Sequence, residues 1–328
     1  MHRGPFGGTG VSRTPLAKFF SELLVEPSDP LLKIHSIDYL CFRGNKHWQY
    51  DALYATLARA RTPVATLTVA DEAPSRARVG LLAEALFFPP TSSRTSSYPS
   101  IRGLNISCSS LCKPHLQTIV DIVRGKGGRS GVEQSSDQGR LVEVIVPGYG
   151  VFQVPRGAVV SQEAKVGHGL DATSRETEPV NSLLMNFSGS SGALENLLGQ
   201  IGWPLRSLTL HFLRKLNATK LMTAILTSCP KLTSLSLYTS DVDLDQLITT
   251  YEQFGGERQP AAILSLALIN VDNIGADHGV LFAERLGDST TRLAKHLVEF
   301  TIETGQESPA VNDSTLRALW FALKSNRK

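Results

Sequence analysis

Two segments of this chain share one apolar pattern, and that pattern constrains the fold more than any other feature of the sequence. An L-x-x-L-x-L motif begins at Leu205, and the same motif begins again 27 residues later at Leu232. Apolar residues at helical spacing follow each copy. Alternating apolar residues predict a β-strand with one buried face, and helical spacing predicts an amphipathic helix. Each copy therefore predicts one strand and one returning helix, which is the arrangement of a repeat protein.

Weaker versions of the same apolar triplet occur on both sides of these two copies. Most of them are also followed by a helical stripe, as Leu194 to Ile201 show after the triplet at Val180. Apolar triplets are common by chance, so the alternation with helices is the feature that discriminates. The predicted strand segments begin at Ile37, Val64, Ile101, Leu141, Val180, Leu205, Leu232, Ile263 and Leu297.

The pattern resembles the leucine-rich repeats of the ribonuclease-inhibitor type, in which each repeat contributes one strand and one helix. The resemblance covers most of residues 31–325. It implies an α/β solenoid, a horseshoe with a parallel sheet on its concave side and helices outside. The chain departs from the family pattern at the asparagine position that follows the strand, where Asn45 fits but Glu72 and Ser240 do not. An irregular horseshoe is therefore expected.

Interruptions of the repeat predict four parts of the chain. Residues 1–30 contain a disordered start and a capping helix, and residues 31–149 contain irregular repeats. Residues 150–179 carry no sustained apolar period and are expected to form an insertion loop. Residues 180–328 contain the clearer repeats and a closing helix. That helix is predicted from four apolar residues at helical spacing, Leu316, Leu319, Trp320 and Leu323.

Composition narrows the classes of protein that fit. With 328 residues and 41% hydrophobic residues, the chain can bury a large core. Its net charge is only +3, and Lys and Arg form no block away from the termini, so no nucleic-acid partner is expected. There is no 18-residue apolar run and no signal-peptide pattern. Four unevenly spaced cysteines favour reduced thiols, and we expect a cytoplasmic or nuclear protein.

The motifs for common chemistries are missing or incomplete. The segment from Gly125 lacks the spacing of a phosphate-binding loop, and the one from Phe187 is not a nucleophile elbow. Cys108, Cys112 and His115 supply three of the four ligands that zinc needs, and no further ligand pair follows. We expect these residues to pack at the end of a strand and the start of a helix. No catalytic, cofactor-binding or metal-binding residue is predicted.

These observations favour a non-catalytic scaffold that binds a protein partner on the concave face of the repeat array. The alternative is a regulator of a GTPase, or a hydrolase-type enzyme that uses residues 150–179. In each strand the residues between the buried positions point away from the core. Glu299 and Glu303 would make one end of this face acidic, which favours a partner with a basic edge. The predicted partner-binding residues are Tyr39, Arg43, His211, Tyr238, Ile269, Glu299 and Glu303. The alternative is that they are ordinary exposed strand residues. The sequence leaves the oligomeric state open.

Overall fold

The structure is a computed structural model, and it describes most of the predicted strands and helices. The described residues are 18–25, 33–39, 47–57, 60, 62, 64–71, 74–87, 101–124, 141–146, 150–155, 180–188, 191–212, 218–238, 244–254, 262–269, 276–303 and 313–325.

Strands and helices alternate along this part of the chain. The strands are β1 (Ile34–Tyr39), β2 (Val64–Val69), β3 (Ile101–Leu111), β4 (Leu141–Val146), β5 (Gly150–Pro155), β6 (Ser182–Phe187), β7 (Ser207–Phe212), β8 (Ser234–Tyr238), β9 (Ser265–Ile269) and β10 (Glu299–Glu303). The helices are α1 (His47–Leu57), α2 (Arg76–Phe87), α3 (Lys113–Val123), α4 (Ser191–Ile201), α5 (Ala218–Ser228), α6 (Leu244–Gln253), α7 (Ala276–Gly287), α8 (Arg292–His296) and α9 (Asp313–Ser325). A π-helical turn, Ser21–Val25, precedes β1.

Eight of these strands form one parallel sheet, in the order β1-β2-β3-β6-β7-β8-β9-β10. Successive strands of this sheet are neighbours, and a helix follows each of them along the chain. The predicted α/β alternation of parallel strands and helices is therefore confirmed.

The predicted apolar triplets supply the buried side of the sheet. In β2, β3 and β6 to β9, all three residues of the triplet that leads into the strand are buried. The six leucines of the two clearest copies have no accessible surface at all. Burying one leucine side chain stabilises the fold by about 1.5–3 kcal/mol, so each triplet contributes substantially to the stability of its repeat.

A repeated backbone junction joins the strands from β6 to β10. At the start of each strand, two consecutive N–H groups donate to one carbonyl group of the preceding strand segment. The N–H groups of Thr233 and Ser234, for example, donate to the carbonyl oxygen of Arg206 at 2.9 and 3.0 Å. The same junction recurs on the carbonyl groups of Asn181, Thr233 and Leu264. Identical junctions at four successive steps make these strands a structural repeat.

The helices also pack in chain order. Helix α4 packs on α5, α5 on α6, α6 on α7, and α9 on α7. Gly202 and Cys229 occupy the same buried turn of two successive repeats, 27 residues apart. A Cβ atom placed on Gly202 would lie 2.7 Å from Cys229 Sγ and 2.5 Å from the carbonyl oxygen of Leu198. The glycine is therefore required by close contact between neighbouring repeats.

The prediction that Leu141 begins a strand of the parallel sheet is wrong. Strands β4 and β5 pair with each other in an antiparallel register and form a separate two-stranded sheet. Strand β3 pairs directly with β6 instead. A strand that alternates apolar and polar residues can join either kind of sheet, so the period alone did not distinguish them. The predicted insertion loop thus begins with β5, and its residues 156–179 lie outside the described part.

Two further predictions differ from the structure in detail. Strand β1 begins at Ile34, three residues before the predicted start at Ile37. Helix α9 forms as predicted, but of its predicted apolar stripe only Leu319 is buried, together with Thr315 and Ala322. The reason is that α9 packs on α7 through small groups. A Cβ atom on Gly287 would lie 3.3 Å from Cα of Ala322. The other three residues of the stripe are exposed: Leu316, Trp320 and Leu323.

The backbone contacts divide the chain into two compact units. Unit 1 comprises residues 1–67, 74–102 and 121–179, and unit 2 comprises residues 68–73, 103–120 and 180–328. In unit 1, Nε of Arg78 lies 3.8 Å from Oδ1 of Asp51, and both side chains are largely buried. The predicted boundaries after residues 30, 149 and 179 stay predictions.

Candidate protein-binding surface

Alternation along the strands of unit 2 divides their residues between a buried and an open side. Between the buried leucines stand residues that are partly or fully exposed, and the burial pattern of β8 and β9 alternates at every position. We call the outward residues of β6 to β10 the exposed sheet face. It contains Ser182, Leu184, Asn186, Ser207, Thr209, His211, Ser234, Ser236, Tyr238, Ser265, Ala267, Ile269, Glu299, Thr301 and Glu303.

The largest side chains of this face lie together near the ends of the strands. His211, Tyr238 and Ile269 are register partners on β7, β8 and β9. The ring centroids of His211 and Tyr238 are 4.0 Å apart, and the two ring planes differ by 14°. The pattern predicted that these residues are neighbours, and the structure places them so. We call these three residues the aromatic row, because two of them carry the stacked rings.

Partial burial makes His211 a weaker base than a free imidazole. Desolvation disfavours the charged form of the ring and lowers its pKa below the ordinary value of a histidine. Its register neighbour on β6 is Asn186, whose Oδ1 atom is buried without a hydrogen-bond partner among the described residues. The neutral His211 ring, the Tyr238 phenol and this amide form a surface without formal charge at neutral pH.

A row of hydroxyl groups lines the other end of the face. Ser182, Ser207, Ser234 and Ser265 are successive register partners, and Glu299 follows them on β10. The Ser265 hydroxyl donates to Oε2 of Glu299 at 2.9 Å. Since side chains in this row are short, the backbone of a partner could approach the strands closely there.

The predicted site residues are brought together only in part. His211, Tyr238 and Ile269 adjoin one another, and Glu299 and Glu303 lie two residues to either side of Thr301 on β10. Tyr39 is the last residue of β1, and Arg43 lies outside the described residues. A role in binding stays a prediction for all seven residues.

The region of Cys112 and His115 is a helix start, as expected. Nδ1 of His115 accepts the backbone N–H of Cys112 at 3.3 Å, and it lies 3.4 Å from Sγ of the same residue. This contact is one half of a capping box, the half in which the side chain at the third helical position accepts the N–H of the capping residue. The described residues contain no group of three or more His, Cys, Asp or Glu side chains that could hold a metal ion.

Comparison with known proteins gives no family. No protein-family model matches the chain, and no curated protein matches it. The leucine-rich-repeat resemblance therefore rests on the apolar triplets and on the parallel strand and helix repeat. Among the described residues, no helix is long and apolar enough to cross a membrane.

Two features were missed by sequence reasoning, one in unit 2 and one in unit 1. The alternation of its strand indicates that Asn186 faces outward, but its unsatisfied amide depends on packing and has no sequence signal. The β4–β5 hairpin did have a signal, because Pro147 and Gly148 stand between two apolar alternations. Proline and glycine in a three-residue connection are typical of a hairpin.

Proposed function

We propose that this protein binds a protein partner through the exposed sheet face, with Tyr238 and His211 as the anchor of the contact. The observation that carries the proposal is the stacking of these two rings beside Ile269, on a face otherwise made mostly of small side chains. Stacked rings are held in one orientation, so a partner that packs on them orders few further side chains. Aromatic residues at the centre of a contact supply much of the binding energy at protein interfaces.

The chemistry of the face supports a protein rather than a nucleic acid as the partner. On β6 the register partner of the aromatic row is Asn186, which is uncharged. The charged residues of the face are Glu299 and Glu303 on β10. A nucleic-acid interface needs Lys and Arg to neutralise phosphates. Serine and threonine hydroxyls can instead donate to and accept from the peptide groups of a protein.

The finer parts of the proposal concern family and class. We infer that the chain is an irregular leucine-rich repeat protein of the ribonuclease-inhibitor type and that its exposed sheet face is the concave side of a horseshoe. We also infer a non-catalytic scaffold that acts in the cytoplasm or nucleus. The alternative function is a regulator of a GTPase, or a hydrolase-type enzyme that uses residues 150–179. Of these residues the structure describes strand β5, Gly150–Pro155.

Quantitative affinity capture from lysate tests this proposal. The wild-type protein is compared with the double variant His211→Ala/Tyr238→Ala and with a matched control, Thr223→Ala/Thr227→Ala. The control residues are exposed on α5, in the helix layer. We expect a protein that is captured by the wild type and by the control variant but is lost from the double variant.

The design separates binding from folding. All three proteins are first compared by thermal unfolding. Loss of the cross-strand ring pair should lower the free energy of unfolding by only about 0.2–1 kcal/mol, and the control should change it by less than about 0.5 kcal/mol. A set of captured proteins that is the same for wild type and double variant would contradict the proposal. So would a double variant that fails to fold, because its residues would then be part of the core.

A further inference from the structure

The outer edge of β10 has backbone groups that no described strand satisfies. In the parallel sheet, β10 is the last strand and pairs with β9 on one side only. The N–H group of Glu299 donates to the carbonyl oxygen of Leu264 at 3.0 Å. Because peptide groups alternate in direction along a strand, Thr301 and Glu303 also face β9, whereas Phe300 and Ile302 face away. Two N–H groups and two carbonyl groups therefore point outward from this edge.

The apolar side of β10 is also less covered than that of the strands before it. Phe300 and Ile302 are register partners of Leu266 and Leu268, which are 2% and 1% exposed. Phe300 packs on Phe282 of α7, with ring centroids 4.6 Å apart, yet it remains partly exposed, as does Ile302. One further strand beside β10 would flank these two side chains on their open side, as β8 and β10 flank Leu266 and Leu268 of β9.

We propose that the outer edge of β10 binds an extended, basic segment of another protein, which adds to the sheet as a ninth strand. Strand addition of this kind takes its affinity from main-chain hydrogen bonds and its specificity from alternate side chains. This edge is distinct from the aromatic row, which lies on β7 to β9. The proposal therefore stands or falls independently of the proposed function.

The side chains of β10 indicate the chemistry of the added strand. Glu299 and Glu303 are both exposed on the open face, with Thr301 between them. Opposite charges on neighbouring strands stabilise their pairing, so a Lys or Arg is expected opposite each carboxylate. On the other face, Phe300 and Ile302 favour apolar neighbours. The segment should thus alternate basic or small polar residues with β-branched apolar ones.

A second copy of this chain fits the edge less well. If two β10 strands paired in an antiparallel register centred on Thr301, each Glu299 would stand opposite a Glu303. Like charges directly opposite each other destabilise a strand pair. Exposed edges are commonly protected from self-association by such charges. The same two carboxylates that favour a basic segment thus disfavour a dimer.

The test uses the full-length protein and a fluorescein-labelled nine-residue peptide in which lysine or serine alternates with valine. Binding is followed by fluorescence anisotropy in low salt. Two N-methylated forms of the peptide block the amides on one edge or on the other. We expect one form to bind at least tenfold more weakly and the other to bind like the parent peptide. Equal binding of both forms would mean that no strand pairing occurs and would overturn the proposal.

Variants of β10 test the contribution of the protein side. Glu299→Gln/Glu303→Gln should weaken binding about two- to thirtyfold, as expected for the loss of two exposed ion pairs. A charge-matched control, Glu284→Gln/Asp313→Asn, removes two carboxylates that lie on α7 and α9 and should leave binding within about twofold of wild type. A peptide with glutamate in place of lysine should bind more weakly than the lysine peptide, because like charges then stand opposite each other.

Two substitutions at Ile302 separate the backbone from the side chain. Proline is tolerated on an edge strand where the lost N–H faces solvent, so Ile302→Pro removes one outward donor and keeps the pairing with β9. It should bind the peptide at least fivefold more weakly than Ile302→Ala, which loses a similar apolar contact but keeps the N–H. If Ile302→Pro does not fold, the N-methylated peptides still decide. The proposal would be overturned if no peptide binding were detected at peptide concentrations up to about 1 mM. It would also be overturned if sedimentation showed a dimer of the protein that competes with the peptide.

Discussion

Leu208 and Leu235 are register partners on adjacent strands, and neither side chain has any accessible surface. They stand 27 residues apart in the sequence, at the same place of two successive repeats. Each repeat thus buries its apolar residues against the next one, and no single repeat could bury them alone.

Leu235→Ala should therefore destabilise the protein strongly. Truncation of a fully buried leucine costs about 2–5 kcal/mol, because it removes apolar contacts and leaves a cavity. The control is Ser236→Ala on the exposed sheet face, which should change the free energy of unfolding by less than about 0.5 kcal/mol. Urea unfolding measures both. Similar stabilities for the two variants would show that the inward and outward positions are assigned wrongly.

Two glycines of one helix region should respond to alanine in opposite directions. In Gly202→Ala the new methyl group would meet the carbonyl oxygens of Leu198 and Ser228 and the sulfur of Cys229 at 2.5 to 2.8 Å. Overpacking of this kind costs about 1–3 kcal/mol. Gly199 lies within α4, and no atom of the described residues lies within 4 Å of its Cβ position, so Gly199→Ala should stabilise by about 0.5–1 kcal/mol. Thermal unfolding distinguishes the signs, and a stabilising Gly202→Ala would contradict the contact between these repeats.

Glu252 on α6 holds the start of the short helix α8. Its carboxylate accepts the backbone N–H groups of Arg292 and Leu293 at 2.7 and 2.8 Å. Arg292 in turn lies over the Tyr251 ring and donates to the Tyr251 carbonyl oxygen at 2.7 Å. Glu252→Ala leaves two donors without this acceptor and should cost about 1–3 kcal/mol. The adjacent exposed residue provides the control, Gln253→Ala, which should be close to wild type. Equal unfolding midpoints for both variants would count against this role of Glu252.

The partial burial of His211 predicts a pH dependence of stability. Because its pKa in the folded protein lies below 6.5, the unfolded chain binds more protons on this ring as the pH falls. The free energy of unfolding should thus decrease as the pH drops through about 6.5 and continue to fall until the lower folded-state pKa is passed. His211→Gln should remove this part of the dependence. In an NMR titration assigned with that variant, a midpoint at or above 6.5 would contradict the prediction.

The sequence alone predicts the repeat because its signal is chemical and local. A buried residue such as Leu235 must be apolar, whereas its outward neighbour Ser236 can be polar. Each repeat therefore shows apolar alternation in its strand, and its helix shows apolar residues at helical spacing for the same reason. The aromatic row could be predicted for the same reason. Once two strands share one motif, the motif also sets their register, and His211 must then adjoin Tyr238.

The features that could not be predicted depend on contacts between distant segments. The apolar alternation of Leu141–Val146 is compatible with either sheet, and its antiparallel partner decided the outcome. In α9 the apolar stripe and the small residues both lay at helical spacing, and the contact of Ala322 with Gly287 selected the smaller side. The position of Glu252 beneath α8, 40 residues away, has no local signal.

The most direct test of partner binding on the exposed sheet face is the affinity of a captured partner for purified variants. Isothermal titration calorimetry compares wild type, His211→Ala/Tyr238→Ala and the helix-layer control Thr223→Ala/Thr227→Ala. If the stacked rings anchor the contact, the double variant loses about 2 kcal/mol or more of binding free energy, which is roughly a thirtyfold increase in Kd, and the control stays within about twofold of wild type. Equal affinity of the folded double variant and the wild type would contradict the account, because the partner would then bind elsewhere.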